Sequence, residues 1–348
     1  MILSFLLVTL AVARDYDYNL DDSILFEQFK KDFRREYNTL AEELQRRLFF
    51  MNTLKIIREH NRNQSSYTMG INKFADRGPE EMAIPKQAMK SALKAQKKMN
   101  VSGAFPYQKS VGIILPDNYS LCTSEAKTNY CGSFNIDQGL CGSCYAIASA
   151  HYMSTWYSVL LNGHGEISPE PMIDCEKNSI NKGCCGGNSY YIFKEMEYFY
   201  ALDDDTKYRY KNQKDDNCCT YKCSVKNKPV LKKVNFYYQE KELSWEQVKF
   251  IIKEYNGFVA NMYAPDSLSY YTGGIYSPSE CKRTGHDVNH AIVVDGYGID
   301  NGNKYLWVRN SWGNDWGIEN GHFKIDFNNR CLINTIDSAF CLVKAQLT

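Results

Sequence analysis

The chain has 348 residues, with 41 basic and 40 acidic side chains and a formal net charge of +1. That balance gives no global pull toward nucleic acid or anionic lipid, so neither is expected as a partner. Hydrophobic residues at 44% and charged residues at 23% suit ordinary globular folding, and the length suggests about two domains.

The chain opens with MILSFLLVTLAVA, residues 1–13, an apolar run too short to span a bilayer. Ala11 and Ala13 fit the small-residue rule for cleavage after Ala13, so the run reads as a secretory signal peptide. No later stretch reads as a transmembrane helix, and the C-terminal LVKAQLT carries no retrieval or lipidation signal. The expected destination is the secretory pathway, ending in a lysosome or vacuole or outside the cell, without stable membrane insertion.

Residues 14–105 are charged, cysteine-free and rich in helix signals. All 13 cysteines lie between 122 and 341, in a region punctuated by Gly, Asn and Pro. Between the two blocks, residues 89–107 are basic, then small and polar, and read as an exposed linker. We divide the chain into residues 1–13, 14–110 and 111–348.

In the first block, residues 41–61 lack Gly and Pro and read as one helix. Leu40, Leu44, Leu48, Met51 and Leu54 recur at helical spacing and predict an apolar stripe. A second line, Glu42, Arg46, Phe50, Thr53, Ile57 and Asn61, follows one side of the same helix. Downstream, in residues 69–82, alternation through Ile71 and Phe74 predicts a short strand followed by a capped helix start.

In the second block, Cys144 to Leu161 reads as a helix closed by Asn162-Gly163. Residues 244–256 make another, with Ser244 as N-cap and Glu246 or Gln247 near the capping-box position. Then come the β-like runs GFVANMY, GGIYS, HAIVVDGYG, KYLWVRN and GHFKIDF, separated by Gly and Asn turns. Helices first and strands second give an α+β fold with segregated parts.

Thirteen cysteines in an oxidising compartment leave at least one without a partner. Cys141 and Cys144 could be a staple and a nucleophile, a redox pair, or metal ligands. The adjacent pairs Cys184-Cys185 and Cys218-Cys219 lack the spacing of zinc ligand pairs, so no metal is expected. A redox pair would require none of the polar residues that follow. At a helix N-terminus, Cys144 has the exposed N–H groups and dipole that favour a thiolate. His290 could shuttle its proton, Asn310 could orient the imidazole, and Trp312 could shield that contact. Gln138 and the Cys144 backbone N–H could receive the oxyanion of a tetrahedral intermediate.

These segments, QGLCGSCY, VNHAIVVDGYG and VRNSWGNDWG, resemble the papain family of cysteine proteases, of the cathepsin L-like kind, in the family's order along the chain. In the first block, Glu42, Arg46, Phe50, Ile57 and Asn61 resemble the family's propeptide helix signature, and GINKFAD at 70–76 its second propeptide motif. Thr53 stands where that helix usually has Asn. The resemblance implies a papain-like two-lobe fold, a helical lobe plus a β-barrel-like lobe, preceded by a helical propeptide that inhibits the enzyme until removed. It implies catalytic Cys144, His290, Asn310 and Gln138, with no cofactor. It also implies disulfides from Cys141 to Cys184, from Cys175 to Cys218 or Cys219, and from Cys281 to Cys331. The specificity pocket would be lined by Gly186, Gly187, Met262, Val288 and Ile336, favouring an apolar or aromatic side chain over arginine, and Trp312 would wall the substrate site.

Four features depart from the family pattern besides Thr53. Tyr145 replaces the usual Trp after the nucleophile. Asp295 takes a normally apolar place and is expected to be solvated at a strand end. Residues 117–137 carry two extra cysteines, Cys122 and Cys131, and are expected to form a stapled surface loop. Asn188 and Ser189 make the pocket rim polar. Asn63, Asn100 and Asn118 head Asn-x-Ser sequons for glycosylation.

The reading is a secreted or lysosomal cysteine endopeptidase made as a zymogen. Its expected partners are protein and peptide substrates, its own propeptide and cystatin-like inhibitors, and it is expected to be a monomer. The alternative is a catalytically silent relative that binds peptides or partners.

Overall fold

The computed structural model describes residues 16–63, 65–78, 81, 115–131, 135–175, 180–202, 223, 225, 228–239, 242–282, 288–333 and 340–348. The signal-peptide run, the linker at 89–107, Asn100, Cys218, Cys219 and Ile336 lie outside them. No helix among the described residues is long and apolar enough to cross a membrane.

The N-terminal block begins with α1, Asp22–Asp32, capped by the Asp21 side chain on the Ser23 N–H. Helix α2, Leu40–Arg62, follows after the N-cap Thr39. Its buried residues are Phe50, Thr53 and Ile57 of the second line, with Leu54 from the end of the leucine stripe. The first part of the leucine stripe faces the other way, and Leu40, Leu44 and Leu48 are exposed. Apolar periodicity marked two faces of this helix. The packed one also carries the aromatic that meets α1, where Phe50 lies 5.4 Å from Phe26 and 5.1 Å from Phe29. Polar members of the same line tie the block together. Arg46 forms a bidentate pair with Glu81, and Asn61 brackets the Met69 backbone at 2.8 and 3.0 Å. The strand β1 is Tyr67–Met69. Residues 73–76 beyond it form a turn, and the expected helix start falls largely outside the described residues.

The second block supplies β2, Tyr119–Ser120, then α3, Cys144–Leu161, closed as expected by Asn162 in the left-handed region. Short helices α4, Glu170–Asp174, and α5, Ser189–Glu195, complete the helical side. Strands β3, Tyr198–Phe199, and β4, Leu231–Gln239, lead to α6, Trp245–Tyr255, whose capping box joins Ser244 and Gln247. The remaining strands are β5, Phe258–Met262, β6, Tyr271–Tyr276, β7, His290–Asp300, β8, Asn303–Arg309, β9, His322–Asp326, and β10, Phe340–Leu347. They form one ten-stranded sheet in the order β1-β6-β9-β8-β7-β5-β10-β4-β3, with β2 paired to β7. The N-terminal block thus contributes the outermost strand, with β1 antiparallel to β6.

Strands β5, β7 and β10 divide two cores by simple alternation. Phe258, Ala260, Ile292, Val294, Phe340 and Leu342 join the core shared with the N-terminal block, α6 and Trp316. Val259, Ala291, Val293, Cys341 and Val343 face α3 and α5. Both faces are covered, so all five residues of β5 are buried, although the strand pairs antiparallel.

Disulfides join Cys141 to Cys184 and Cys281 to Cys331, the pairs implied by the resemblance. Cys175 pairs with Cys223, not with Cys218 or Cys219; their Cα atoms are 4.6 Å apart, within disulfide reach. Three cysteines crowd residues 218–223, and spacing alone could not choose among them. Cys122 pairs with Cys131 and staples the inserted loop. The loop is less superficial than expected. Leu121, Cys122 and Thr123 are buried, and the Leu121 N–H donates to the Asp295 carbonyl at 3.1 Å. Cys144 and Cys341 are free.

Candidate active site

The QGLCGSCY segment reaches α3 through a fixed approach. The Cys141–Cys184 bond and the Gly142 N–H on the Cys184 carbonyl, at 2.8 Å, hold the chain ahead of the helix. Cys144 is the first helical residue. There the helix dipole favours a thiolate. Burial opposes this and pushes the thiol up to about 11, against hydrogen bonds from the N–H groups of Ala291, Tyr145 and Cys144 itself. The Ala291 contact matters for placement, because Ala291 follows His290. The thiol on α3 therefore lies against the first residues of β7.

His290 is buried, and burial pulls its imidazole down to about 4 despite the hydrogen bond to Asn310. Its Nε2 lies 2.7 Å from Asn310 Oδ1. The Ser311 N–H donates to that same oxygen at 2.8 Å, which fixes the Asn310 amide. Trp312 covers the pair, with its ring 5.3 Å from the imidazole at 31°. Trp316 supports Trp312 edge-on at 4.8 Å and donates its own N–H to the Ser269 carbonyl. His290 Nδ1 has no hydrogen-bond partner among the described residues.

Gln138 is fully buried, and its amide is oriented from both ends. Ser311 Oγ donates to Oε1 at 2.6 Å, and Nε2 donates to the Cys141 carbonyl at 3.1 Å. Ser311 is the residue that sequence reasoning passed over; its place between Asn310 and Trp312 was the available signal. Tyr145 fits in place of a larger aromatic, since it is buried and its hydroxyl donates to the Gly183 carbonyl at 3.2 Å. Gly187 must stay small there, because a Cβ would meet the Tyr145 ring at 2.7 Å.

The pocket candidates divide. Met262 is buried and stands opposite His290 in the β5–β7 register. Val288, Gly186 and Gly187 are buried, while Ile336 lies outside the described residues. Asn188 caps α5 on the Tyr190 N–H, and Ser189 donates to the Tyr145 carbonyl. Both rim residues are buried rather than presented to solvent.

Asp295 is not solvated. It is fully buried, with Oδ2 3.1 Å from His322 Nε2. The reason is a fault in the β7–β8 register between Val294 and Gly296, where Asp295 falls. Arg309 stands opposite His322 and is also buried; burial lowers its guanidinium to about 10, with Asp295 as the main opposing charge. The Cys122 and Cys131 sulfurs and a carboxylate oxygen of Asp295 lie within 4.8 Å of one another. The sulfurs are joined as a disulfide and offer no thiolates to a metal.

The GINKFAD turn packs against this site. Asn72 Nδ2 donates to the Ser269 carbonyl at 2.7 Å and Gly70 N–H to the Tyr270 carbonyl at 2.8 Å. Phe74 meets Trp312 edge-on at 5.4 Å. Thr53 donates to the Tyr270 hydroxyl at 3.2 Å, so this departure serves the same contact.

Residues 120–340 match the family described as papain family cysteine protease, and residues 26–82 match the cathepsin propeptide inhibitor domain. A cathepsin L-like proteinase of Phaedon cochleariae is 30% identical over 91% of this chain and 93% of its own. Cathepsin J of Rattus norvegicus is 31% identical over 95% of this chain and 94% of its own. Digestive procathepsin L 3 of Tenebrio molitor larval midgut has the same fold, with a TM-score of 0.70 and 22% identity over 92% of this chain and 98% of that one. The chain belongs to the papain family of cysteine proteases. It is a zymogen whose propeptide is part of the same chain.

Proposed function

We propose that this zymogen matures into an endopeptidase in which Cys144 is the nucleophile and His290 the proton shuttle. The observation that carries the reading is the alignment of donors and acceptors around His290. Asn310 Oδ1 can only accept, so Nε2 carries the ring hydrogen and Nδ1 keeps its lone pair. The Ala291 N–H against the Cys144 thiol brings that lone pair's strand to the nucleophile. Once the cleft opens, hydration favours the charged forms that burial suppresses, and the thiol can pass its proton to Nδ1.

The thiolate then attacks the substrate carbonyl. Gln138 Nε2 and the Cys144 N–H stabilise the oxyanion. As the C–N bond breaks, the imidazolium gives its proton to the leaving amine and a thioester remains. Water, deprotonated by His290, hydrolyses the thioester and regenerates the thiol.

Met262 and Val288, with Gly186, Gly187 and Ile336, would line the specificity pocket. They favour an apolar or aromatic side chain two residues before the scissile bond. The enzyme acts as a monomer in the secretory pathway, in a lysosome or vacuole or outside the cell, with cystatin-like proteins as inhibitors. Asn63, Asn100 and Asn118 are glycosylation acceptors. Peptide pairs differing only in Phe or Arg at that position test the pocket. Preferred cleavage of the Phe peptide is expected, and comparable cleavage of both would contradict it.

A further inference from the structure

Lys73 comes from the inhibitory turn, yet its ammonium group is held by the enzyme. Nζ lies 2.8 Å from Asp137 Oδ2 and 2.7 Å from Asp315 Oδ1, and the lysine side chain is only 11% exposed. The two carboxylates come from different segments of the site. Asp137 directly precedes Gln138 and its backbone bridges to Trp312, and Asp315 directly precedes Trp316. Asp137 is oriented beforehand, because its other oxygen accepts the Gly139 N–H at 2.9 Å. Gly313 forms the floor, with φ of +76°. A Cβ there would lie 3.0 Å from the ammonium and 3.1 Å from Asp315 Oδ1. Glycine thus meets both the backbone conformation and the space the cation occupies.

The position of this cradle relative to the reaction follows from chemistry. The leaving amine receives its proton from His290, so residues after the scissile bond lie on the imidazole side. Trp312 covers that imidazole, and the Lys73-Phe74 pair sits against Trp312. When the propeptide leaves, the two carboxylates lose the cation that both of them contact.

We propose that Asp137 and Asp315 form a cation-binding subsite on the leaving-group side of the scissile bond. Lys73 fills it in the zymogen, and a lysine or arginine side chain of the substrate fills it in the processed enzyme. The proposal rests on the assignment of Cys144 and His290 as the reacting pair. It names the substrate class as chains with a basic residue shortly after the bond that is cut. Asp137 and Asp315 are partly exposed, at 37% and 56%, so solvent screening limits the gain from each charge-assisted hydrogen bond.

The test uses processed enzyme and internally quenched peptides that differ only in Lys, Gln or Glu at each of the three positions after the scissile bond. At one position the Lys peptide is expected to exceed the Gln peptide in kcat/KM by about five- to twentyfold at low salt, with the Glu peptide below both. In Asp315→Asn and Asp137→Asn the Lys:Gln ratio falls, and in the double variant it approaches one. Reading a ratio within each variant removes any general loss of activity. Equal cleavage of Lys and Gln peptides by the active enzyme, or an unchanged ratio in the double variant, would overturn the subsite alone; the carboxylates would then serve only the propeptide. If no peptide is cut and Cys144 takes no label, the assignment of the reacting pair falls, and the subsite with it.

Discussion

His290 and Asn310 are 20 residues apart in sequence, yet His290 Nε2 and Asn310 Oδ1 are 2.7 Å apart in the fold. They stand at the first residue of β7 and just past the end of β8, two strands that pair antiparallel. The contact fixes the tautomer as well as the orientation, because an amide oxygen accepts but does not donate. Replacing Asn310 by Ala should lower kcat by about ten- to a hundredfold, the equivalent of ~1.4–2.7 kcal/mol, with KM little changed. Steady-state kinetics on the processed variant checks this, and an unaltered kcat would remove Asn310 from the mechanism.

The zymogen should be nearly inert to small alkylating agents at neutral pH. Burial pushes the Cys144 thiol up to about 11 and holds the His290 imidazole down to about 4. Between those values both groups are neutral, and thiolate, the reactive form, is scarce. Rates of iodoacetamide labelling against pH should therefore rise only toward pH 11 in the zymogen and far lower in the processed enzyme. Matching profiles would show that propeptide removal does not change the ionisation of the pair.

Acid should loosen the zymogen. His290 and His151 are both buried with lowered affinity for protons, His290 at about 4 and His151 held down by burial and then by Arg309. A depressed folded pKa gives stability that is full above the unfolded value of 6.5 and is lost as pH falls toward 4. For His290 alone the loss is about 3 kcal/mol. Urea unfolding of Cys144→Ser zymogen at pH 7, 5.5 and 4.5 should show the midpoint falling through this window. A flat profile would contradict the burial of these rings.

Asp295 should matter for stability rather than chemistry. Its carboxylate faces His322 and opposes the charge of Arg309, all in the interior. Removing one member of a buried pair leaves its partners uncompensated, so Asp295→Ala should cost about 3–5 kcal/mol. Asp295→Asn keeps an acceptor for His322 and should lose less. Denaturant midpoints for the two variants decide, and a loss below ~1 kcal/mol in Asp295→Ala would mean the cluster is not held by this charge.

The residues proposed to react could be singled out in the sequence because they stand in short segments that resemble the papain family's motifs. Cys144 opens a helix, Gln138 precedes it, His290 opens β7 and Asn310 directly follows β8. Long-range choices were less legible. Asp295 reads as an exposed strand end because its partners, His322 and Arg309, are distant in sequence and brought together only by sheet register. Strands β4 and β10 were not anticipated: LKKVNFYYQ mixes charge with aromatics, and the burial pattern of β10 loses its apolar continuity toward the end. The same limit hid Lys73, whose two carboxylate partners lie 64 and 242 residues away.

The most direct test of the account is to locate an epoxide affinity label after acid processing. Secreted precursor would be shifted from neutral to acidic pH with reductant, labelled, digested and mapped by peptide mass spectrometry, with Cys144→Ser as control. The account predicts loss of the N-terminal block and label on Cys144 alone, absent from the control. A folded, processed chain that takes no label at Cys144 and cuts no peptide would contradict it.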